Sequence, residues 1–486
     1  MYKIKKQMSI EDFIFPYGKL KTTNRWVKMA ELIPWDDIER DYASKFVNNG
    51  APAHPARMAL GSLIIKQILG CSDEELCFQV AENPYLQFFI GLKEFTEECP
   101  FGSSTLVAFR KRFTDEDIKK VNDLMLKRAR DKADDEDIDD DDDSNEKTMA
   151  LDATVAPSDI SYPQDVKLLN AAREHLEGII DCICEQTGAK KPRMYRKLAR
   201  RNFLNWSKSK KPKAKKVRSA LRKQLGYVRR DLGYINALID ELKPDLTKHQ
   251  LGLLKTIATL YAQQHYMYEN KVHLVPDRIV SITQPWVRPI VRGKTNAQVE
   301  FGAKIQVSTD EGFARLEQTS FDAFNESEGL IKAVENYHNR NGYYPDRLLV
   351  DQIYRTRKNL AWCKENNIRV SGPKLGRPPK DAQITKSQKA TEQKDTADRN
   401  VVEGVFGTAK TIYGLDPVKA RLKETTKTVI SLAILVFNLK KLLAICLAHF
   451  QKAYILVLDA ILGLFFKRQR VSFFDGFNGN NLSLVF

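Results

Sequence analysis

The sequence predicts an α/β protein: a mixed sheet flanked by helices, preceded by an all-helical N-terminal domain and interrupted by a long basic helical insertion. Three observations carry this reading. Periodicity is helical over residues 1–132, turns strand-like at 148–155, is helical again over 164–270, and becomes strand-like after Val272. Positive charge is concentrated in one of the helical blocks. Two strand-like apolar runs carry or end in a carboxylate, Asp152 and Asp351.

In chain order, residues 55–70 read as a helix with a proline near its start and Gly70 at its end. Ser72 with Glu75 three residues on is capping-box order for a second helix, which ends near Asn83-Pro84. Residues 85–92 form an apolar patch. Residues 103–113 are a capped helix with the basic tip Arg110-Lys111-Arg112. Short helices with such a tip suit a helix-turn-helix-like DNA reader, and equally a plain bundle. Residues 134–143 hold nine acidic side chains around Ile138, a self-repelling run that reads as a linker over 133–147.

The run 148–155 contains Asp152, and a carboxylate in a buried strand is costly unless it is paired or bound to a cation. From Ala189 to Arg230 there are eighteen Lys or Arg and no acid. Removing those eighteen from the net charge of +16 leaves −2, so one segment holds the whole positive excess. That concentration points to a polyanion such as nucleic acid. Arg200, Arg201, Lys208, Lys210, Lys211, Lys213, Lys215 and Lys216 are its candidate phosphate contacts, with Tyr195, Phe203, Trp206 and Tyr227 interleaved as packing or base-stacking groups.

Strand character returns at 278–282 and in the proline-rich 284–290. Residues 299–309 and 313–320 flank Asp310-Glu311-Gly312 as a hairpin. A helix over 326–340 leads to the strand 346–351, then a helix over 356–366 and a strand at 368–371. Residues 372–395, rich in Gly, Pro and Lys and including Arg377, read as a mobile basic loop. The next helix starts near a plausible cap, Asp398, with Arg399, Glu403 and Lys410 on or near one face and Val402, Val405, Phe406 and Ala409 as its apolar stripe. That charged face is either a surface salt-bridge ladder or a metal and phosphate site.

The runs 429–450 and 454–466 are strongly apolar. Asn438, Lys440 and Lys441 interrupt the first and Asp459 the second, so buried helices are expected in place of a membrane span. Seven scattered cysteines without a zinc-type pattern suit reduced thiols in a cytoplasm, and the basic N-terminus lacks a signal-peptide apolar run.

Setting the insertion aside, the order is strand, strand, strand, helix, strand, helix, strand, helix, helix. Carboxylates at two strands and a later helix can meet at one sheet edge, where they repel unless cations sit between them. Two divalent ions about 4 Å apart, magnesium with manganese as the alternative, answer that repulsion and serve an in-line displacement at phosphorus.

These residues resemble a bacterial DDE-type insertion-sequence transposase with an RNase H-like core, most similar to the family numbered five. The matching pieces are Leu151-Asp152-Ala153-Thr154, Val350-Asp351-Gln352-Ile353-Tyr354, and Arg399 with Glu403 and Lys410. Phe101-Gly102-Ser103-Ser104-Thr105-Leu106, Arg292-Gly293-Lys294 and Phe301-Gly302-Ala303-Lys304 are similar as well. The resemblance covers most of residues 40–448. It implies that Asp152, Asp351 and Glu403 hold two metal ions, while Arg399, Lys410 and Lys304 grip DNA. It further implies an enzyme of the bacterial cytoplasm, associated with the nucleoid and dimeric on DNA. That enzyme cuts and rejoins the terminal inverted repeats of its own element into target DNA. An inactive DNA-binding derivative and a related nuclease are the alternatives. Two positions depart from the family pattern: Thr396 stands where a Tyr is usual, and Ile353 where a Gly is.

The expected domains are therefore a helical DNA-binding unit (1–132), the acidic linker (133–147), a catalytic unit (148–163 and 271–448), the basic insertion (164–270) and an apolar tail (449–486).

Overall fold

The computed structural model describes residues 9–16, 18–46, 52–135, 147–291, 299–373 and 382–474. Seven helices come first: α1 (Arg25–Leu32), α2 (Trp35–Ala43), α3 (Ala56–Leu69), α4 (Asp73–Glu82), α5 (Pro84–Phe89), α6 (Thr105–Arg112) and α7 (Asp115–Asp135). The α4 cap is as the sequence predicts, with Ser72 Oγ accepting from Glu75 N at 3.0 Å. The apolar patch at 85–92 is largely helix. Pro84 opens α5 at a position that needs no N–H donor, and Asn83 caps it by accepting from Tyr85 N at 3.0 Å.

Strand β1 (Thr148–Pro157) is followed by four helices, α8 (Asp165–Thr187), α9 (Arg196–Ser207), α10 (Ala214–Leu242) and α11 (Lys248–Asn270). They bury a core of their own, built on Leu169, Leu176, Ile180, Val228, Ile257 and Leu260. Then come β2 (Arg288–Val291), β3 (Val299–Asp310), β4 (Phe313–Ser320), α12 (Leu330–Asn341), β5 (Arg347–Val350), α13 (Arg357–Glu365), β6 (Arg369–Val370), α14 (Ala382–Thr411) and α15 (Lys423–Phe474). The run at 278–282 is not a strand. Its Ile279, Val280 and Ile282 are buried in irregular chain instead.

The six strands form one mixed sheet. β1 is antiparallel to β3, from Met149 opposite Asp310 to Pro157 opposite Gly302. It is parallel to β5, from Thr148 beside Arg347 to Leu151 beside Val350. β2 and β4 follow one another along the far side of β3, and β6 closes the other edge beside β5. The β3–β4 hairpin turns at Glu311 and Gly312, whose φ values of 52° and 73° fit the two-residue turn expected there. Gly302 lets β3 meet β1, because a Cβ at that position would stand 2.1 Å from the Ala156 carbonyl oxygen.

Side-chain alternation gives the sheet two faces. Met149, Leu151, Leu348 and Val350 pack with α12 residues Leu330, Val334 and Tyr337. Ala150, Ala156, Val307 and Leu349 pack on the other face with Val402, Val405, Phe406 and Ala409, so the apolar stripe of α14 is where the sequence puts it. The same core continues into the N-terminal helices through α15. Asn438, which interrupts the apolar run of α15, is fully buried and satisfied: it accepts from Ala314 N at 2.8 Å and donates to Ala314 O at 2.7 Å and Asn122 Oδ1 at 2.8 Å. The segment Lys423–His449 is long and apolar enough to cross a membrane, with 61% of its most apolar window buried. It packs against α1, α3, α6, α7 and β4. The helix continues through what was expected to be a separate tail, while residues 475–486 lie outside the described residues.

Two further expectations change. Residues 382–395 are helix, not loop, because no Gly or Pro interrupts the chain between Ala382 and Asp398 and its Ala, Gln, Lys and Glu residues favour a helix. Asp398 therefore lies well inside α14 and does not cap it. Lys374, Arg377 and Lys380, the Arg292-Gly293-Lys294 motif and linker residues 136–146 lie outside the described residues.

Candidate active site

Asp152 and Asp351 come together through strand register. The last parallel pair of β1 and β5 is Leu151 beside Val350, so the next step along both strands sets Asp152 beside Asp351. Alternation sends Asp152 to the same face as Ala150, the face covered by α14. Asp152 Oδ1 accepts from Ala153 N at 2.7 Å. Burial holds its pKa above the ordinary carboxylate value, Ala153 N and Arg399 pull it down, and Glu326 and Asp351 push it further up. Asp351 is more exposed and accepts from Gln352 N at 2.8 Å as the N-cap of the turn Gln352–Tyr354.

The third element is α14, fixed to the sheet by ion pairs. Asp395, 3% exposed, receives both Nη atoms of Arg369 at 2.8 Å and faces Arg347 Nη1 at 3.6 Å. Asp398 takes the other Arg347 nitrogen. One residue on, Arg399 Nη1 donates to Asp351 Oδ1 at 3.0 Å. Glu403 is exposed one turn further along the same helix face, and Lys410 is half-buried two turns beyond that. The structure thus brings together Asp152, Asp351 and Arg399, with Glu403 adjacent in sequence and face. Among the described residues, no three His, Cys, Asp or Glu side chains are already gathered at metal-holding distances.

A buried network beneath this cluster was not singled out from the sequence. Glu326 pairs with Lys304 Nζ at 2.9 Å, and Lys304 also donates to Phe324 O at 2.8 Å. Gln306 Nε2 donates to Glu326 O at 3.1 Å and to the Tyr354 hydroxyl at 3.2 Å, tying the two short turns on either side of α12 together. Burial drives the Tyr354 pKa far up, and the three carboxylates Glu326, Asp152 and Asp351 add to that. Lys304 was expected to touch DNA; its ammonium is instead engaged inside the protein. The only hint in sequence was an acid beginning the segment after the hairpin.

Family models match the chain at two places. A transposase DDE domain covers residues 348–440, which include Asp351, Arg399, Glu403 and Lys410. A second, described as a transposase domain (DUF772), covers residues 16–112. Both matches are to transposase domains, one of them of the DDE type, and together they mark what the chain is similar to at its N-terminal helices and over the segment from β5 into α15. An uncharacterized protein, ORF8 of the nfe locus in Rhizobium meliloti, is 29% identical over 150 residues, which is 31% of this chain and 70% of that protein. No solved structure matches it.

Elsewhere in the protein, the predicted basic contacts divide. Arg110 is turned inward as a two-pronged partner of Asp73, with Nη1 at 3.0 Å and Nη2 at 2.5 Å. Arg112 lies over the Phe46 ring at 5.3 Å, and Lys111 is exposed. Arg200, Arg201, Lys208, Lys210, Lys211, Lys213, Lys215 and Lys216 are all exposed on or between α9 and α10. Of the interleaved aromatics, Trp206 is buried and Tyr227 accepts from Asn202 Nδ2 at 2.8 Å, so both pack the hairpin. Tyr195 stays 42% exposed with Arg193 and Arg230 against its ring.

Proposed function

We propose that this transposase cuts the terminal inverted repeats of its own insertion sequence and joins them to target DNA by metal-dependent phosphoryl transfer. The adjacency of Asp152 and Asp351 on the sheet face under α14 is the observation that carries this. The strand order β4-β3-β1-β5-β6, with its one antiparallel and one parallel neighbour of β1, supports an RNase H-like core. The resemblance to the family numbered five rests on Arg399, Glu403 and Lys410. The division into a helical DNA-binding unit, acidic linker, split catalytic unit, basic insertion and C-terminal tail belongs to the same reading.

The donor set suits a hard cation: carboxylate oxygens, one of them in a strand whose burial disfavours its charge. Asp152, Asp351 and Glu403 would hold two magnesium ions, or manganese in their place. Bound there, the ions would activate the attacking oxygen and stabilise the leaving one. The protein's own contribution is placement. Arg399 holds Asp351, α14 covers the site, and the exposed cations of α9 and α10 bind duplex phosphates through counterion release. In this reading the enzyme works as a homodimer on paired DNA ends, in the cytoplasm with the nucleoid and not in a membrane.

The exposed, unassembled position of Glu403 favours a second reading, a derivative that binds DNA without cutting it. Incubating the pure protein with magnesium and DNA carrying the element's ends separates the two. Nicked ends and strand-transfer products support the transposase; cleavage without joining indicates a nuclease; tight binding without cleavage establishes the binder.

A further inference from the structure

On the far edge of the sheet from Asp351, a cleft of about 350 Å³ opens between α7, β4, α12 and α15. Four cations line it, Lys119, Arg315, Lys332 and Arg340, against two carboxylates, Asp123 and Glu317. Glu317 is already saturated: it accepts from Ser308 Oγ at 2.6 Å, Asn336 Nδ2 at 2.8 Å and Arg340 Nη2 at 2.8 Å. Arg315 is only 5% exposed. Its Nε donates to Asp123 Oδ1 at 2.8 Å, while its Nη1 is buried without a partner. Ser431, 3% exposed, brings a second buried atom without a partner, its Oγ, from α15. Lys332 stands exposed at the rim.

A buried guanidinium donor lacking an acceptor is costly, and with Lys119 paired to Asp115, Arg315 to Asp123 and Arg340 to Glu317, Lys332 is the surplus cation that makes the lining favour an anion. A tetrahedral oxyanion accepts from several directions at once, which suits a planar guanidinium, a hydroxyl and an ammonium that line one cleft from three elements. Burial already lowers the Arg315 pKa, Asp123 opposes that, and Arg340 adds to the lowering. A bound anion would reverse that pressure.

We propose that this cleft is a phosphate-binding pocket, separate from the carboxylate site, in which Arg315, Ser431 and Lys332 take the oxygens of a free phosphate or of a DNA backbone phosphate. The test uses the full chain and two variants. Lys332→Glu changes an exposed side chain, and Ser431→Val removes the buried hydroxyl without altering charge. Inorganic phosphate is titrated calorimetrically at fixed ionic strength, and a duplex of arbitrary sequence is titrated in parallel. Both variants are expected to weaken at least one of the two probes by about tenfold, the effect of losing one charge-assisted contact. Weakening on phosphate alone identifies a free phosphate ligand, and weakening on the duplex identifies the backbone. If either variant binds both probes as the parent does, the pocket is not a phosphate site. A folded-state check by circular dichroism on each variant keeps a misfolded sample from being read as lost binding.

Discussion

Arg399 on α14 donates to Asp351 at the end of β5 at 3.0 Å, a contact between residues 48 positions apart in the chain. It is possible because Asp395 and Asp398, on the preceding turn of the same helix, are clamped by Arg347 and Arg369 at the start of β5 and on β6. The clamp sets both the rotation and the height of α14 against the strand that delivers Asp351. Glu403 inherits its direction from that setting.

If the carboxylates perform the proposed chemistry, Asp152→Ala, Asp351→Ala and Glu403→Ala should each lower DNA cleavage by more than about a hundredfold, the scale of losing transition-state charge stabilisation. Binding to the same DNA should stay near the parent value. Full cleavage by any one of the three removes that residue from the proposed set.

Asp395→Ala should destabilise the fold. It removes both hydrogen bonds that Arg369 makes to α14 and the second carboxylate beside Arg347, whose side chain is 9% exposed and which keeps only Asp398. Removing one partner of such a buried pair costs on the order of 3 kcal/mol. The urea midpoint should fall with little change in slope. A midpoint equal to the parent's would mean that α14 is held mainly by its apolar stripe.

Asp231 on α10 predicts a pH dependence. It is fully buried with Oδ2 unpartnered, and burial lifts its pKa from 3.8 to about 6, opposed by Arg230 and reinforced by Glu177. The folded state then binds the proton more tightly than the unfolded chain, so stability falls as pH rises between those two values. Asp231→Asn should lose that slope and exceed the parent by roughly 3 kcal/mol at neutral pH, with no advantage in acid below the unfolded carboxylate pKa. Parallel slopes for the two proteins across this range would contradict the assignment.

Replacing Lys208, Lys210, Lys211, Lys213, Lys215 and Lys216 with Gln should weaken duplex binding and flatten its salt dependence. The slope should drop by about 0.9 for each lysine that contacts a phosphate. Binding measured at several salt concentrations reads this directly, and an unaltered slope would move the DNA path off α9 and α10.

The parts of this architecture that follow local rules were legible in the sequence. The hairpin at Glu311 and Gly312, the cap at Ser72, the stripe from Val402 to Ala409 and the strand-end position of Asp351 each announce themselves through spacing or turn chemistry. What was hidden depends on partners distant in sequence. Lys304 and Arg110 look like free cations until Glu326 and Asp73 are found beside them. The first half of α14 looked like loop because its lysines and glutamines form no apolar stripe. Its attachment is ionic, through Asp395, to arginines on two strands. Asn438 looked like a flaw in an apolar helix and is the junction of α15 with α7 and β4.

The insertion between β1 and the rest of the sheet also bears on how the chain acquires its structure. Pro157 must find Gly302 across roughly 145 residues, and closing an unstructured loop of that length costs about 4 kcal/mol in chain entropy. Helices α8 to α11 carry an apolar core of their own, so condensing it before the sheet forms would replace a floppy tether with a short rigid one. Pairing of the central strands, and with it the meeting of Asp152 and Asp351, would then be easier once that core has formed. Loosening that core, for instance at Leu176 or Val228, should slow refolding of the sheet more than it speeds unfolding.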